Sequence, residues 1–273
     1  MNYNTFLKKE TDKLRKDPLP EDDIQEYKAM VVDEINSKLD NNERQGLAES
    51  LGLAIGIHLD NNAKNKILNG DSSAWVLIEQ QTYWMAHIIE KVPGSIHMDS
   101  RNYGGILGMS MLWGYDDLAA LIAADAEREF QKNRAKFERS QAIHVFMASL
   151  YRKYKDGTIP EYFNILPPDH IYQRLIASWQ DEAAYAKLMP EVCDYHLYSA
   201  YDDGKNKMLE ILTFDLIPFD IRTIELVRKK EGLPTPAIDH PLLKTPLADI
   251  PAQRPGYDPA SDEILQLVLK NEK

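Results

Sequence analysis

Asp71-Ser72-Ser73-Ala74-Trp75-Val76-Leu77-Ile78-Glu79-Gln80-Gln81-Thr82-Tyr83-Trp84-Met85-Ala86-His87-Ile88-Ile89-Glu90-Lys91-Val92-Pro93-Gly94 is the stretch whose reading decides the fold class. Its opening Asp-Ser-Ser offers side-chain oxygens to the unpaired amides of a helix start, and Pro93-Gly94 ends the helical pattern. In between, Trp75, Ile78, Tyr83, Trp84, Ile88 and Ile89 leave little of the circumference polar. The spacing predicts a helix over 72–92 at the centre of a helical bundle.

Upstream, Ile24, Tyr27, Val31, Ile35 and Leu39 recur every three or four residues, which predicts a helix from Asp23 to Leu39. Leu47, Leu51, Ala54, Ile55 and His58 continue the pattern over Asn41 to Leu59. Downstream, the same logic places helices over Arg101 to Trp113, Asp116 to Lys132, and Glu138 to Lys153, the third closed by Asp156-Gly157. Two more are expected over Asp169 to Trp179 and Asp181 to Tyr201, with Pro190 kinking the second or shifting its start, and then a turn at Asp202-Asp203-Gly204. Pro218 to Lys230 has proline where no amide hydrogen is missed and Gly232 just past its end.

Only Ile211 to Phe214 reads as extended, too short to found a sheet. Seven of the 15 prolines fall between Pro234 and Pro259, which forbids helix and sheet interior there. Ile238, Leu242, Leu243, Leu247 and Ile250 give that segment enough apolar surface to strap it against the bundle, and a short helix over Ser261 to Lys270 follows. The expected architecture is all-α: one multi-helix bundle domain over 1–233, with a Pro-rich strap and short terminal helix over 234–273 packed on the same domain.

A chain of 273 residues can bury a substantial core, and 44% hydrophobic with 27% charged residues lies far from the composition of disordered chains. The formal charge of -11 repels phosphate polyanions and anionic lipid, which disfavours nucleic-acid and membrane-surface roles and favours a basic partner. The longest apolar stretches, such as residues 51–57, are far short of the roughly 20 residues that span a bilayer. The N-terminal residues carry no apolar signal region, and the single Cys193 has no disulfide partner, so a reducing cytoplasmic location is expected.

Metal and nucleophile signatures are missing from the sequence. No histidine has Glu three residues before it, the spacing that stacks two ligands on a bundle helix. His58-x-Asp60, His87-x-x-Glu90, His97-x-Asp99, Asp169-His170 and Asp239-His240 are isolated pairs, better read as capped loops or hydrogen-bonded core histidines. Gly104, Gly105 and Gly108 sit inside an apolar helix pattern and suit close helix packing, not a phosphate loop. Glu191 and Asp194 beside Cys193 would raise its thiol pKa, which argues against a nucleophile. No catalytic residue, metal ligand or cofactor is expected.

The segment 180–220 is different: nine acids and three lysines give it a balance of -6, more than half of the total. Tyrosines stand among these carboxylates, a composition suited to a basic protein partner, since rings supply rigid contact area and carboxylates steer Arg and Lys. The candidate partner-binding residues are Tyr185, Glu191, Asp194, Tyr195, Tyr198, Tyr201, Asp202 and Asp203. The bland alternative puts Tyr195 and Tyr198 in the core with the acids simply solvated.

Ile217-Pro218-Phe219-Asp220-Ile221-Arg222, then Leu226-Val227-Arg228-Lys229-Lys230-Glu231-Gly232-Leu233-Pro234, then Asp239-His240-Pro241-Leu242-Leu243-Lys244-Thr245-Pro246-Leu247, resemble the C-terminal end of helical immunity proteins from bacterial polymorphic-toxin and type VI secretion systems. The resemblance is confined mainly to residues 217–250. It implies a cytoplasmic protein encoded beside a toxin, which binds the cognate toxin effector domain and occludes its active site without doing chemistry. Two other readings stand beside it. One is a helical enzyme whose site is assembled from distant residues such as His58, His87 and nearby carboxylates. The other is a structural adaptor that forms a homodimer through an apolar helix face.

Overall fold

A computed structural model describes residues 3–93, 102–133, 141–200 and 210–272, the side chain of Ile57 excepted. Among the described residues the chain is helical throughout, with no strand. It divides into two compact units, Met1–Glu10 with Ser100–Asp249 and Thr11–Asp99 with Ile250–Lys273, and the first division falls inside helix α1 (Tyr3–Lys16). Residues 234–249 therefore go with the first unit and 250–273 with the second, whereas the sequence-based division fell at 233.

The second unit holds α2 (Glu21–Asp40) and a run over 44–68 that changes its winding three times. A 3-10 helix (Arg44–Leu51) and one α turn (Gly52–Ala54) lead into a π-helix (Ile55–Asn61), then α3 (Asn62–Leu68). A plain α-helix ending near Leu59 was expected. Gly46, Gly52 and Gly56 weaken α-helical preference along this run, and π turns recur where packing or function demands them. Asp60 and Lys64, both about 3% exposed, pair at 2.6 Å where the π-helix meets α3.

α4 (Trp75–Lys91) follows a short 3-10 turn, and Asp71 is its capping residue, accepting from the Ser73 amide at 3.0 Å. Trp75, Ile78, Trp84, Ile88 and Ile89 are buried and Tyr83 is half-buried, as the bundle-centre pattern requires. α4 packs against the 3-10 and π segments of the 44–68 run.

The first unit is built around α5 (Tyr103–Leu112), buried from Tyr103 to Met111, with α6 (Asp116–Lys132) and α7 (Ala142–Asp156) against it. Gly157 ends α7 in the left-handed conformation at φ 76°, where glycine has no Cβ penalty. α8 (Ile171–Ala177) and α9 (Glu182–Ser199) follow, and Pro190 lies inside α9 instead of delaying its start. α10 (Phe219–Lys230) begins after Pro218 and packs on α5 and α7. The starts expected at Arg101 and Glu138, the end at Tyr201 and the Asp202-Asp203-Gly204 turn lie outside the described residues.

Ile211 to Phe214 is not extended. Residues 212–214 form bends that lead into a turn at 215–216, and Phe214 takes a left-handed φ of 62° and is fully buried. That ring is the reason α5 needs glycine at position 105, and other neighbours act in the same way at 104 and 108. A Cβ on Gly105 would strike the Phe214 ring, one on Gly104 would come within 2.8 Å of His144 Nδ1, and one on Gly108 would lie 3.1–3.2 Å from Met147, Phe219 and Thr223. Helix packing at van der Waals distance, not ligand binding, accounts for the three glycines. Gly105→Ala is expected to destabilise the protein by about 1–3 kcal/mol, because neither the buried ring nor a core helix can yield cheaply. Urea denaturation checks it, and an unchanged midpoint would contradict this packing.

After α10 the chain runs without regular structure to two 3-10 turns (Pro241–Lys244 and Pro246–Ala248), with Leu242 and Leu247 fully buried. α11 (Glu263–Asn271) belongs to the second unit, where it packs on α2 and the 3-10 segment.

Candidate functional site

α8 and α9 lie side by side in the first unit. Asp181 caps α9 through the Ala184 amide at 3.0 Å, and His170 caps α8 through the Tyr172 amide at 3.3 Å. These caps fix the start of each helix. An open cleft of about 330 Å³ is lined by Ile171 and Arg174 of α8, by Glu191, Asp194, Tyr195 and Tyr198 of α9, and by Tyr3 of α1. Four of the eight residues read from the sequence thus converge on one cleft. Tyr201, Asp202 and Asp203 lie outside the described residues.

Tyr185 does not join them. It is fully buried, its ring 3.7 Å from the Arg228 guanidinium, so it belongs to the core. One helical turn separates Tyr195 from Tyr198 on the same face, whereas Tyr185 sits elsewhere on the wheel.

The acids at the cleft are held. Glu191 takes a bidentate pair from Arg174 at 2.8 and 3.3 Å, with both side chains about half exposed. Asp194 meets His240 Nε2 at 3.2 Å and is 47% exposed. Burial and then the Asp194 carboxylate push the Tyr3 hydroxyl pKa up, so it stays a neutral donor. Beyond the Arg174–Glu191 pair lies a second depression of about 330 Å³ whose wall includes Lys187 and Leu188. The surface therefore offers tyrosine rings and two partly exposed carboxylates in one place.

Beneath Tyr195 runs a buried chain that sequence reasoning missed. The Tyr172 amide occupies His170 Nδ1, leaving His170 Nε2–H to donate to the Tyr195 hydroxyl at 3.3 Å. Tyr195 in turn donates to Glu210 Oε1 at 3.2 Å, and Glu210 Oε2 accepts the Ile143 amide at 3.2 Å. Glu210 is fully buried and closes the start of α7, also taking the amides of Gln141 and Ala142. Burial pushes its pKa up to about 7 against the lowering effect of these donors, while burial holds His170 neutral at about 4. A glutamate separated by 67 positions from the helix it caps carries no local signal.

A second buried group lies between α9 and α10. His196 Nδ1 faces Asp220 Oδ1 at 2.8 Å and its Nε2 faces the Asp215 carbonyl at 3.1 Å, while the Tyr172 hydroxyl donates to Asp220 at 3.2 Å. Tyr172 stacks on Phe146 with ring centroids 3.9 Å apart. Cys193 is fully buried, and burial followed by Asp220 and Asp194 pushes its thiol pKa up, which leaves no accessible thiolate.

The histidines weighed for an assembled catalytic site stay apart in role. His87 bonds Glu272 at 3.2 Å, and His58 faces a cleft of the second unit. Among the described residues no group of three or more His, Cys, Asp and Glu is placed to hold a metal ion, and no helix is long and apolar enough to cross a membrane. No family model, no curated protein and no solved structure matches the chain.

Proposed function

We propose that the protein is a cytoplasmic immunity protein that binds a cognate bacterial toxin effector and occludes its active site, with the α8–α9 cleft as its contact surface. The observation that carries this reading is the convergence of Tyr3, Tyr195 and Tyr198 with Glu191 and Asp194 around one open cleft. Tyrosine rings held by helices contribute contact area at low entropic cost, and the carboxylates select a partner segment bearing Arg or Lys. The overall charge of -11 would speed the approach of a basic toxin domain. The resemblance of residues 217–250 to helical immunity proteins supports the choice of partner class.

The test is survival. Cells producing the toxin encoded beside this protein should live only when the protein is made with it, and continued killing would refute the proposal. The purified complex gives the second reading: the double charge reversal Glu191→Lys, Asp194→Lys should lower the association rate about tenfold or more at low salt, and the loss should shrink as salt is raised. An association rate unchanged by the reversal would move the contact to another face.

A helical enzyme is the competing reading, and the His170–Tyr195–Glu210 chain is the observation that favours it, since a glutamate near neutral pKa is what acid–base catalysis requires. Its geometry argues for structure instead. Glu210 is fully buried and its oxygens already take amides and a hydroxyl, so a substrate could meet the Tyr195 hydroxyl but not the carboxylate.

A further inference from the structure

The second unit contains a cleft of about 410 Å³, within the range of small-molecule sites, between α2, the π-helix, α4 and the start of α11. His58 of the π-helix forms part of its wall and is 3% exposed, and its buried Nδ1 has no hydrogen-bond partner among the described residues. A buried ring nitrogen without a partner is costly. Burial and then the Lys28 ammonium hold its pKa at about 4, so at neutral pH the ring offers one donor and one acceptor.

The rest of the wall is built. Trp84 Nε1 at 2.8 Å, the Tyr257 hydroxyl at 2.6 Å and Gln80 Nε2 at 2.9 Å converge on Asp262 Oδ2, while Asp262 Oδ1 caps α11 through the Leu265 amide at 3.0 Å. Glu79 fixes the approach of the chain by taking the Gly256 and Tyr257 amides at 2.8 and 2.6 Å. Asp262 is therefore committed to the protein. Two charges of opposite sign at the cleft are not: among the described residues Lys28 and Glu263 have neither an ion pair nor a hydrogen bond from their side chains.

We propose that this cleft binds a small zwitterion of the amino-acid class, with Lys28 receiving the carboxylate, Glu263 the ammonium and His58 a polar atom of the ligand. Asp258, Asp262 and Glu263 disfavour a ligand that is only an anion and favour one carrying an ammonium, while Lys28 gives a partner to the carboxylate that a zwitterion has and a simple cation lacks. The site lies apart from the α8–α9 cleft in residues and in unit, so it stands or falls independently of the immunity reading.

The test is a thermal-shift screen of the full chain against the twenty free L-amino acids, each beside its N-acetylated, C-amidated form, followed by titration calorimetry of any hit. At least one free amino acid should raise Tm while its capped form does not. Lys28→Gln and Glu263→Gln, each with an unchanged unliganded Tm, should each weaken that binding about tenfold or more. The His58 ring nitrogens should shift in ¹⁵N NMR spectra on addition of the same ligand. A screen in which no amino acid raises Tm overturns the proposal, as does a capped form that binds equally or binding indifferent to both substitutions.

Discussion

Replacing Arg228 by alanine is expected to cost about 3–5 kcal/mol of folding free energy. Arg228 is fully buried in the first unit, donating to the Trp179 carbonyl through Nη1 and to the Pro234 carbonyl through Nε at 3.0 Å and Nη2 at 2.9 Å. Its guanidinium lies over the Tyr185 ring and 5.5 Å from that of Trp179. Alanine leaves the buried Trp179 carbonyl and the Pro234 carbonyl without these donors and a cavity the size of the side chain. Lysine should recover little, because one ammonium cannot reproduce a planar fork that serves two carbonyls and a ring face. Urea denaturation gives the number, and a loss below about 0.5 kcal/mol would show that the fork contributes little.

The second large effect concerns pH. Glu210 has its pKa raised in the folded protein to about 7 from 4.5. The folded state therefore binds more protons than the unfolded chain between those values, and stability falls as pH rises through that window. The stability linked to Glu210 is full below about pH 4.5 and lost above about pH 7, a change of about 3 kcal/mol. Glu210→Gln keeps one oxygen for the amides that open α7 and has no charge to bury. The difference in stability between wild type and Glu210→Gln, measured from pH 5 to 8, should therefore shift in favour of the variant as pH rises. A difference flat across that range would contradict a buried glutamate titrating near neutrality.

Both effects bear on what could be read before the fold was known. The helix starts at Asp71 and Pro218 and the stops at Gly157 and Gly232 were legible because capping is local chemistry, settled within a few residues. The winding of 44–68 was not, since over segments this short apolar spacing does not separate the different periods of 3-10, α and π turns, and tertiary packing chooses among them. Ile211 to Phe214 misled for a related reason: a β-branched and aromatic run reads as extended, yet Phe214 is turned into the left-handed region to fill the space above Gly105.

The candidate site was half legible. An acidic, tyrosine-rich segment singled out Glu191, Asp194, Tyr195 and Tyr198, and helical spacing sets these four on one side of α9, where they line one cleft. The same composition included Tyr185, whose burial against Arg228 depends on a residue 43 positions away, and it could not supply Tyr3, Arg174 or the Glu210 beneath Tyr195. Long-range contacts of this kind leave no mark on local spacing.

The contact face is tested most directly by hydrogen–deuterium exchange of the full chain, free and bound to the cognate toxin domain that the proposed function calls for. Occlusion through the α8–α9 cleft predicts slowed exchange concentrated in residues 3–10, 171–177 and 182–199. Protection confined to other segments, with those three unchanged, would contradict it.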